Sequence, residues 1–249
     1  ERLCGALSAA GVMSTESAAS ATRVLVVTAI REELAAFADK RLPPGVVLAA
    51  TGDGPLRAAR AVSALFARHR PSLLIGAGVA GGLTADLGTG DLLVAHRVLD
   101  AQGEVRPGPD PVRVAYAAAK PGVRQGTLLS VESPLVTAAD KAAAAAATGL
   151  VGPPPVAVDM ESAAWARTAA AQGVPYLIVR IVTDTAEEEL PGYLSRCMDS
   201  EGGIRRSSVA LSALAHPRSI PTLRRMRRTV LDCADRLASF VTALVVEGI

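Results

Sequence analysis

The amino-acid sequence predicts an α/β fold in which helices cover both faces of a central, mostly parallel sheet. Short apolar segments rich in Val, Leu and Ile alternate along the chain with longer segments of helical periodicity, as in strands joined by crossover helices. Some of the apolar segments are nearly continuous, which is typical of strands buried on both faces. The chain has 249 residues, 50% of them hydrophobic, so one domain can bury a sizeable core. We therefore expect a three-layer αβα sandwich.

The strands are predicted from runs of β-branched and aliphatic residues that end at turn-forming residues. The third, SLLIGAG at 72–78, has no charged residue and runs into the glycine-rich segment GAGVAGGL. We expect that segment to follow the strand as a loop. In chain order, the predicted strands are 23–29, 46–51, 72–78, 90–100, 126–131, 156–158 and 176–184.

Helices are predicted between the strands, where apolar residues recur three or four positions apart. Residues 1–22 are rich in Ala and Ser and lack both this period and the basic start of a signal peptide, so we expect a flexible leader. A single domain then runs over 23–249 and ends in basic amphipathic helices at about 205–247. The predicted helices before that region are 30–40, 56–69, 111–120, 137–148 and 160–172.

The composition excludes several classes of function. A net charge of +2 is too small for binding nucleic acid through overall charge. Three widely spaced cysteines indicate reduced thiols in a cytoplasmic protein, and the three histidines have no metal-ligand spacing. No segment has the ~18 uninterrupted apolar residues of a membrane span. We expect a cytoplasmic protein that holds no metal and no cofactor.

Acidic residues follow the predicted strands, at the ends where ligands collect in parallel α/β sheets. The densest segment is VAVDMESAAWA, at 156–166, which places two carboxylates around Met160 where a strand becomes a helix. Six segments that converge on one edge of a sheet predict a binding site. Besides the glycine-rich segment and GDGPLR after the second strand, they carry Glu33, Glu132, Asp159, Glu161 and Asp184.

Several carboxyl groups around one pocket suit the cleavage of an N-glycosidic bond. One carboxylate can accept hydrogen bonds from two ribose hydroxyls, a protonated one can donate to the leaving base, and a third can orient or deprotonate water. Negative charge also stabilises an oxocarbenium-like sugar. The alternative is structural. Glu33, Asp159 and Glu161 can be acids that the dipole favours at helix starts, and Asp184 can be a helix cap.

The glycines at 76, 78 and 81 have the spacing of a dinucleotide-binding loop. They follow the third predicted strand and the helix after them is weak, so a nicotinamide cofactor is disfavoured. The preferred interpretation is that the backbone of Val79, Ala80 and Gly81 approaches a bound sugar or base closely.

Four motifs in register resemble the nucleoside phosphorylase/nucleosidase superfamily. They are VVTAIREEL, GAGVAGGLTADLGTGDLLV, VAVDMESAAWA and VRIVTDTA, and the resemblance covers about 23–186. It implies an α/β sandwich around a mixed, partly barrel-like sheet, a homo-oligomer, and a purine nucleoside as substrate. The superfamily includes purine nucleoside phosphorylases and methylthioadenosine/S-adenosylhomocysteine nucleosidases, and the resemblance is compatible with either activity.

A narrower resemblance extends over nearly the whole chain after residue 23. The segments GPLRAARA, SPLVTAADKAA and LAHPRSIPTLRRM are similar to those of the hopanoid-associated phosphorylases. This resemblance implies the release of adenine from adenosylhopane, a lipid-linked nucleoside, in hopanoid biosynthesis.

On the nucleosidase pattern, the resemblance implies a role for each matching residue. Glu33 positions the attacking water, Glu161 binds the ribose hydroxyls, and Met160 lies beside the sugar. Asp184 protonates the departing purine at N7. Thr183, before it, stands where the nucleosidases have Ser and keeps a hydroxyl.

Two departures from that pattern affect the pocket. Val79 stands where the simple nucleosidases have Ser, so a hydroxyl that helps to bind water or phosphate is lost. Pro134 or Leu135 stands where they have an aromatic side chain that stacks on the base. These departures support an alternative from another class, a non-catalytic nucleoside-binding module. The three acids of the nucleosidase pattern argue against it, because a binding module needs no proton donor.

Water or inorganic phosphate can be the co-substrate that attacks the sugar. Glu33 stands where the phosphorylases hold phosphate, and a carboxylate repels that anion, so we expect water. If phosphate is used, Arg57 and Arg180 are its candidate ligands. Arg180 can equally form an internal salt bridge with Asp159.

The C-terminal region carries a separate signal. Residues 204–231 include seven arginines and no acidic residue. The simpler interpretation is an amphipathic helix with solvated arginines, and the alternative is a surface that rests on anionic lipid at the inner membrane face. A lipid-linked substrate favours the second interpretation.

Overall fold

Buried aliphatic segments form the strands of a single sheet. The computed structural model describes residues 12–14, 23–149, 154–216 and 219–249. Within these ranges, nine strands belong to the sheet. Their bounds are β1 Val12–Ser14, β2 Val24–Thr28, β3 Val46–Ala50, β4 Leu73–Gly82, β5 Leu92–Asp100, β6 Gly103–Glu104, β7 Val123–Ser130, β8 Val156–Asp159 and β9 Tyr176–Asp184.

The helices begin at residues suited to that position. Pro55 occupies the first turn of α2, Asp110 accepts hydrogen bonds from the first turn of α3, and Thr137 forms a capping box with Asp140 at the start of α4. A short 3₁₀ helix, Leu194–Cys197, precedes α6. The α-helices in the described ranges are α1 Arg31–Ala35, α2 Pro55–His69, α3 Pro111–Ala118, α4 Ala138–Ala147, α5 Ser162–Ala171, α6 Arg206–Ala215 and α7 Ile220–Val246.

The sheet is mixed and closes on itself over five strands. β3, β2, β4 and β9 run parallel to one another, and β5, β7 and β8 form a second parallel set. The two sets meet antiparallel where β8 pairs with β4 and β5 pairs with β9, which closes the barrel. The mixed, partly barrel-like sheet is therefore confirmed. The carboxyl ends of all strands do not share one edge, because the second set runs in the opposite direction.

The glycine-rich segment is part of a strand, so its prediction as a loop was wrong. β4 continues through Gly82 and pairs with β9 along its length. A Cβ atom on Gly76 would lie 2.7 Å from atoms of Ile178 and Trp165, and one on Gly78 would lie 1.9 Å from Nη1 of Arg180. These glycines are needed because large buried side chains cross the strand here.

Helices cover both faces of the sheet, which confirms the three-layer prediction. On one face, α2 and α5 contribute Val62, Phe66 and Trp165 to a buried cluster with alternate residues of β2. On the other face, α1, α3 and α7 contribute residues such as Leu34 and Leu237 to a second cluster. No helix in the described part of the chain has the length and hydropathy to cross a membrane.

Other elements also differ from the sequence prediction. Helix α1 covers only Arg31–Ala35 of the predicted 30–40, and turns complete the connection. Val12–Ser14, which the prediction placed in the flexible leader, pairs antiparallel with β3. The rest of that predicted leader lies outside the described residues. The two C-terminal helices correspond to the basic helices predicted at about 205–247.

Candidate active site

A cavity of about 350 Å³ lies beside the last residues of β4, β8 and β9. Gly81 pairs with Val158 of β8 on one side and with Asp184 of β9 on the other, so the ends of three strands meet there. The volume falls in the range of small-molecule sites, roughly 300–1,000 Å³. The lining residues are Ala29, Ile30, Glu33, Asp53, Val79, Ala80, Gly81, Val131, Pro134, Leu135, Lys141, Val158, Asp159, Met160, Glu161, Thr183, Asp184, Leu190 and Ile204.

Glu33 is buried at the start of α1 and is held by backbone donors. One carboxylate oxygen accepts hydrogen bonds from the N–H groups of Ala29 and Ile30, at 2.9 and 3.0 Å, and the other accepts one from Val79 at 2.9 Å. Burial raises the pKa of Glu33 above its ordinary value, although Arg180 and these backbone donors oppose the shift. A carboxylate with a raised pKa is a better proton acceptor for a water molecule in the cavity.

Asp159, which lines the cavity, forms a buried ion pair with Arg180, which does not line it. Nη2 of Arg180 donates to Asp159, and its Nε donates to Oγ of Ser162 at 3.0 Å. Asp159 also accepts hydrogen bonds from the Ser130 hydroxyl, at 2.5 Å, and from the Ser162 N–H, at 3.0 Å. The guanidinium of Arg180 lies 4.7 Å from the ring centroid of Trp165. A buried ion pair needs additional hydrogen bonds of this kind to compensate for the loss of water around its two charges.

Glu161 lies at the N-terminal end of α5, with its carboxylate in the cavity wall. It accepts a hydrogen bond of 2.8 Å from the N–H of Gly54. Burial, and to a smaller extent the nearby charge of Asp159, raise the pKa of Glu161 to about 8, although Arg180 opposes the shift. Glu161 is therefore poised to change its charge when a ligand brings hydrogen-bond donors to it.

Asp184, at the end of β9, faces a lysine that the sequence prediction did not include. Nζ of Lys141 lies 2.6 Å from Oδ2 of Asp184, and the Thr183 hydroxyl lies 3.0 Å from Oδ1. Lys141 is only 1% exposed, whereas the side chain of Asp184 is 17% exposed. The aspartate thus faces the cavity with both oxygens held by neighbouring groups.

The backbone of β4 forms one wall of the cavity, through Val79, Ala80 and Gly81, and Met160 forms part of another. Val79 contributes its N–H group to Glu33, so its apolar side chain does not prevent it from organising the site. Pro134 and Leu135, which stand in place of the stacking aromatic, also line the cavity.

Three of the predicted site residues do not line the cavity. Glu132, two residues after the end of β7, is exposed to solvent. Arg57 lies at a surface cluster, where it pairs with Asp199 at 2.5 Å and Glu201 at 2.9 Å. Arg180 lies beneath the site in its ion pair with Asp159. Both arginines are engaged by carboxylates, so neither presents an open guanidinium for phosphate.

Lys141 is the main residue that sequence reasoning missed. It is the single charged side chain in the run KAAAAAA of α4, and a lone lysine in an alanine-rich helix is usually solvated. The sequence did contain one indication of burial: Lys141 lies near the start of a helix in which most of its neighbours are small alanine residues. The apolar wall residues Leu190 and Ile204 were also missed, because they lie in irregular segments after β9.

The arrangement suits proton transfer to and from a ligand in the cavity. Two carboxyl groups have raised pKa values, a third is held beside an ammonium group, and the remaining wall is largely apolar. Among the residues that the structure describes, no group of three His, Cys, Asp or Glu side chains could hold a metal ion.

Comparisons with known proteins match the chain to one superfamily. A model of the Phosphorylase superfamily matches residues 43–196. The 5′-methylthioadenosine/S-adenosylhomocysteine nucleosidase of Geobacillus thermodenitrificans is 32% identical over 168 residues, which cover 57% of this chain and 68% of the relative. The enzyme of the same name from Actinobacillus succinogenes is 32% identical over 164 residues, which cover 58% and 70%.

Solved structures show the same fold. The 5′-methylthioadenosine/S-adenosylhomocysteine nucleosidase of Helicobacter pylori, in a crystal structure of its complex with a substituted pyrrolidin-3-ol, matches with a TM-score of 0.67 and 17% identity, over 92% of this chain and 100% of its own. The futalosine hydrolase of Helicobacter pylori matches with a TM-score of 0.67 and 16% identity, over 91% and 98%. At these identities, the likeness concerns the fold alone.

Proposed function

The chain belongs to the Phosphorylase superfamily, and we propose that it is a nucleosidase that uses water to release adenine from a 5′-substituted adenosine. The first candidate substrates are 5′-methylthioadenosine and S-adenosylhomocysteine, because the similar proteins carry these names. The observation that supports the proposal most strongly is that Glu33, Glu161 and Asp184 line one cavity. We also propose that the protein is a homo-oligomer, as the resemblance implies.

The proposed reaction begins with the ribose bound by Glu161. In its ionised form, the carboxylate accepts hydrogen bonds from two vicinal hydroxyls, and charge-assisted bonds of this kind are stronger than neutral ones. The positive charge that develops on the sugar is stabilised by the surrounding carboxylates. The backbone of Ala80 and Gly81, without bulky side chains, allows the sugar to approach β4 closely.

Different acidic residues act on the two sides of the bond that breaks, one on the purine and the other on the attacking water. The electron pair of the C1′–N9 bond passes to the purine, which takes a proton at N7 through Asp184. A water molecule attacks C1′ and loses its proton to Glu33, whose raised pKa favours this transfer. The products are adenine and the free 5′-substituted ribose.

Two features favour water over phosphate. Glu33 presents negative charge to the cavity, and that charge repels a phosphate anion. The two candidate phosphate ligands, Arg57 and Arg180, are both paired with carboxylates. No metal or organic cofactor is needed for this reaction.

The test is to incubate the protein with adenosine, 5′-methylthioadenosine, S-adenosylhomocysteine and an adenosyl-lipid, with and without phosphate. We expect free adenine and free sugar from at least one of the 5′-substituted compounds, at rates that do not depend on phosphate. Asp184→Asn should lower the rate by about 10²–10⁴-fold, because general acid catalysis contributes this much. Glu132→Gln, outside the cavity, is the matched control and should leave the rate unchanged.

Different results would exclude different parts of the proposal. Formation of a sugar 1-phosphate would show that phosphate is the acceptor. Tight binding of nucleosides by the wild-type protein without any adenine release would support the non-catalytic module.

Adenosylhopane is a second candidate, although the similar proteins support the simpler nucleosides better. Leu190 and Ile204 of the cavity wall belong to the same apolar cluster as Leu223 and Met226 of α7. The neighbouring arginines on the first half of α7 are exposed, and they could contact anionic lipid head groups while an apolar chain leaves the cavity. These residues are Arg224, Arg225, Arg227 and Arg228.

Vesicle flotation tests this second candidate. The wild-type protein should float with vesicles that contain phosphatidylglycerol but not with vesicles of phosphatidylcholine alone. Replacing the four α7 arginines with glutamine should abolish flotation, whereas glutamines at the exposed Arg31 and Arg41 should not. Equal behaviour of the two variants would remove the membrane interpretation.

A further inference from the structure

Lys141 is a buried ammonium group in the wall of the cavity. Its Nζ lies 2.6 Å from Oδ2 of Asp184, 2.6 Å from the carbonyl oxygen of Thr185 and 2.9 Å from that of Glu188. Three acceptors match the three N–H groups of an ammonium, whereas a neutral amine would direct a lone pair at one of these oxygens. This arrangement of three acceptors therefore suits a positively charged Lys141.

The position of this lysine is unfavourable for stability by itself. It is the fourth residue of α4, close to the positive end of the helix dipole, where cations are disfavoured. Its side chain is 1% exposed, so the ammonium has also lost its water. The contacts that compensate these effects come from Asp184 and from the segment that directly follows it.

We propose that Lys141 is the positioning residue through which Asp184 becomes effective in the departure of the base. This inference rests on the proposed function. Lys141 holds Oδ2 of the aspartate while Thr183 holds Oδ1, so the carboxyl group has one orientation towards the cavity. The proton that passes to N7 is carried on Oδ1 of Asp184, the oxygen away from Lys141. As it leaves, negative charge develops on the carboxylate, and the ammonium beside Oδ2 is already in place to stabilise it.

The role predicts a dependence on the leaving group. Adenine must take up a proton as the C1′–N9 bond breaks, whereas 4-nitrophenolate leaves a riboside as a stable anion without one. Lys141→Met should therefore lower kcat for adenine release by about 100-fold, with little change in KM, because one preorganised charge partner is lost. The same variant should hydrolyse 4-nitrophenyl β-D-ribofuranoside at nearly the wild-type rate.

Two further variants separate charge from packing. Lys141→Arg retains the positive charge and should restore part of the adenine release. Lys141→Gln retains hydrogen-bond donors without charge and should behave like the methionine variant. Lys120→Met removes a lysine from a surface pair with Glu247 and is the control that should affect neither substrate.

The outcomes are distinguishable. Equal losses on both substrates, or adenine release by Lys141→Met and Lys141→Gln at the wild-type rate, would overturn the role of Lys141. If Lys141→Met does not fold, the comparison of Lys141→Arg with Lys141→Gln on the two substrates decides between the same alternatives. A wild-type protein that releases adenine from no nucleoside would overturn the proposed function itself, and this inference with it.

Discussion

Replacing Arg180 with methionine should lower the free energy of unfolding by about 3–5 kcal/mol, because it leaves a buried carboxylate without its partner. Arg180 is 0% exposed and forms an ion pair with Asp159. Its charge also lowers the pKa values of Glu33 and Glu161, so its removal should raise both pKa values. Chemical denaturation followed by circular dichroism at neutral pH measures the effect.

Two variants control this measurement. Arg180→Met combined with Asp159→Asn removes both charges and should recover part of the lost stability, since a neutral amide is less costly to bury than an unpaired carboxylate. Arg97→Met breaks the partly exposed pair with Glu104 and should change the free energy of unfolding by less than about 1 kcal/mol. An Arg180→Met protein as stable as the wild type would contradict the assignment of Arg180 as the shared cation.

Replacing Glu161 with glutamine should remove activity while stabilising the protein at alkaline pH. The pKa of Glu161 is raised from 4.5 to about 8 in the folded protein, so folding is increasingly opposed as pH rises between these two values. The wild-type protein loses stability over this range, and the variant avoids that loss. At pH 9 the variant should be more stable by an amount on the order of a few kcal/mol, and the difference should vanish towards pH 4.

Although Glu161→Gln should be more stable at alkaline pH, its activity should be lower than that of the wild-type protein. Glutamine cannot supply the negative charge that binds two ribose hydroxyls, so kcat/KM should fall by about 10²–10³-fold. In the wild-type protein, KM should decrease as pH rises towards about 8, because ionised Glu161 binds the ribose. Thermal melts and initial rates from pH 4 to pH 9 test both statements, with Glu132→Gln as the control. A melting temperature of Glu161→Gln that follows the wild type at every pH would contradict the raised pKa.

The local sequence predicted most strands and helices well, because their signals are local. The strand at 176–184 has the predicted bounds, and α2 differs by one residue at its start. Strand direction was not available from periodicity, since an apolar run has the same composition in a parallel or an antiparallel pair. The mixed sheet was therefore expected only from the resemblance to a family.

The sequence predicted those site residues that stand close to strands, because strand signals are local. Glu33, Glu161 and Asp184 stand next to strands, so their approximate position followed from the strand pattern. Glu132 also follows a strand, but nothing in the sequence indicates that its side chain turns towards solvent. Lys141 reaches the site from a helix far along the chain, and its contact with Asp184 depends on tertiary packing that a pattern of one helix does not contain.

The side chain of Arg180 passes directly over Gly78, and this contact limits the order in which substitutions can accumulate at the two positions. A side chain at position 78 would occupy the space of the guanidinium, and loss of that guanidinium first would leave Asp159 unpaired. Neutralising Asp159 first would leave the buried guanidinium unpaired in the same way, so both members of the pair must be lost together before a side chain can enter at position 78. A relative that carries alanine or serine at the equivalent of Gly78 should accordingly lack both members of the ion pair.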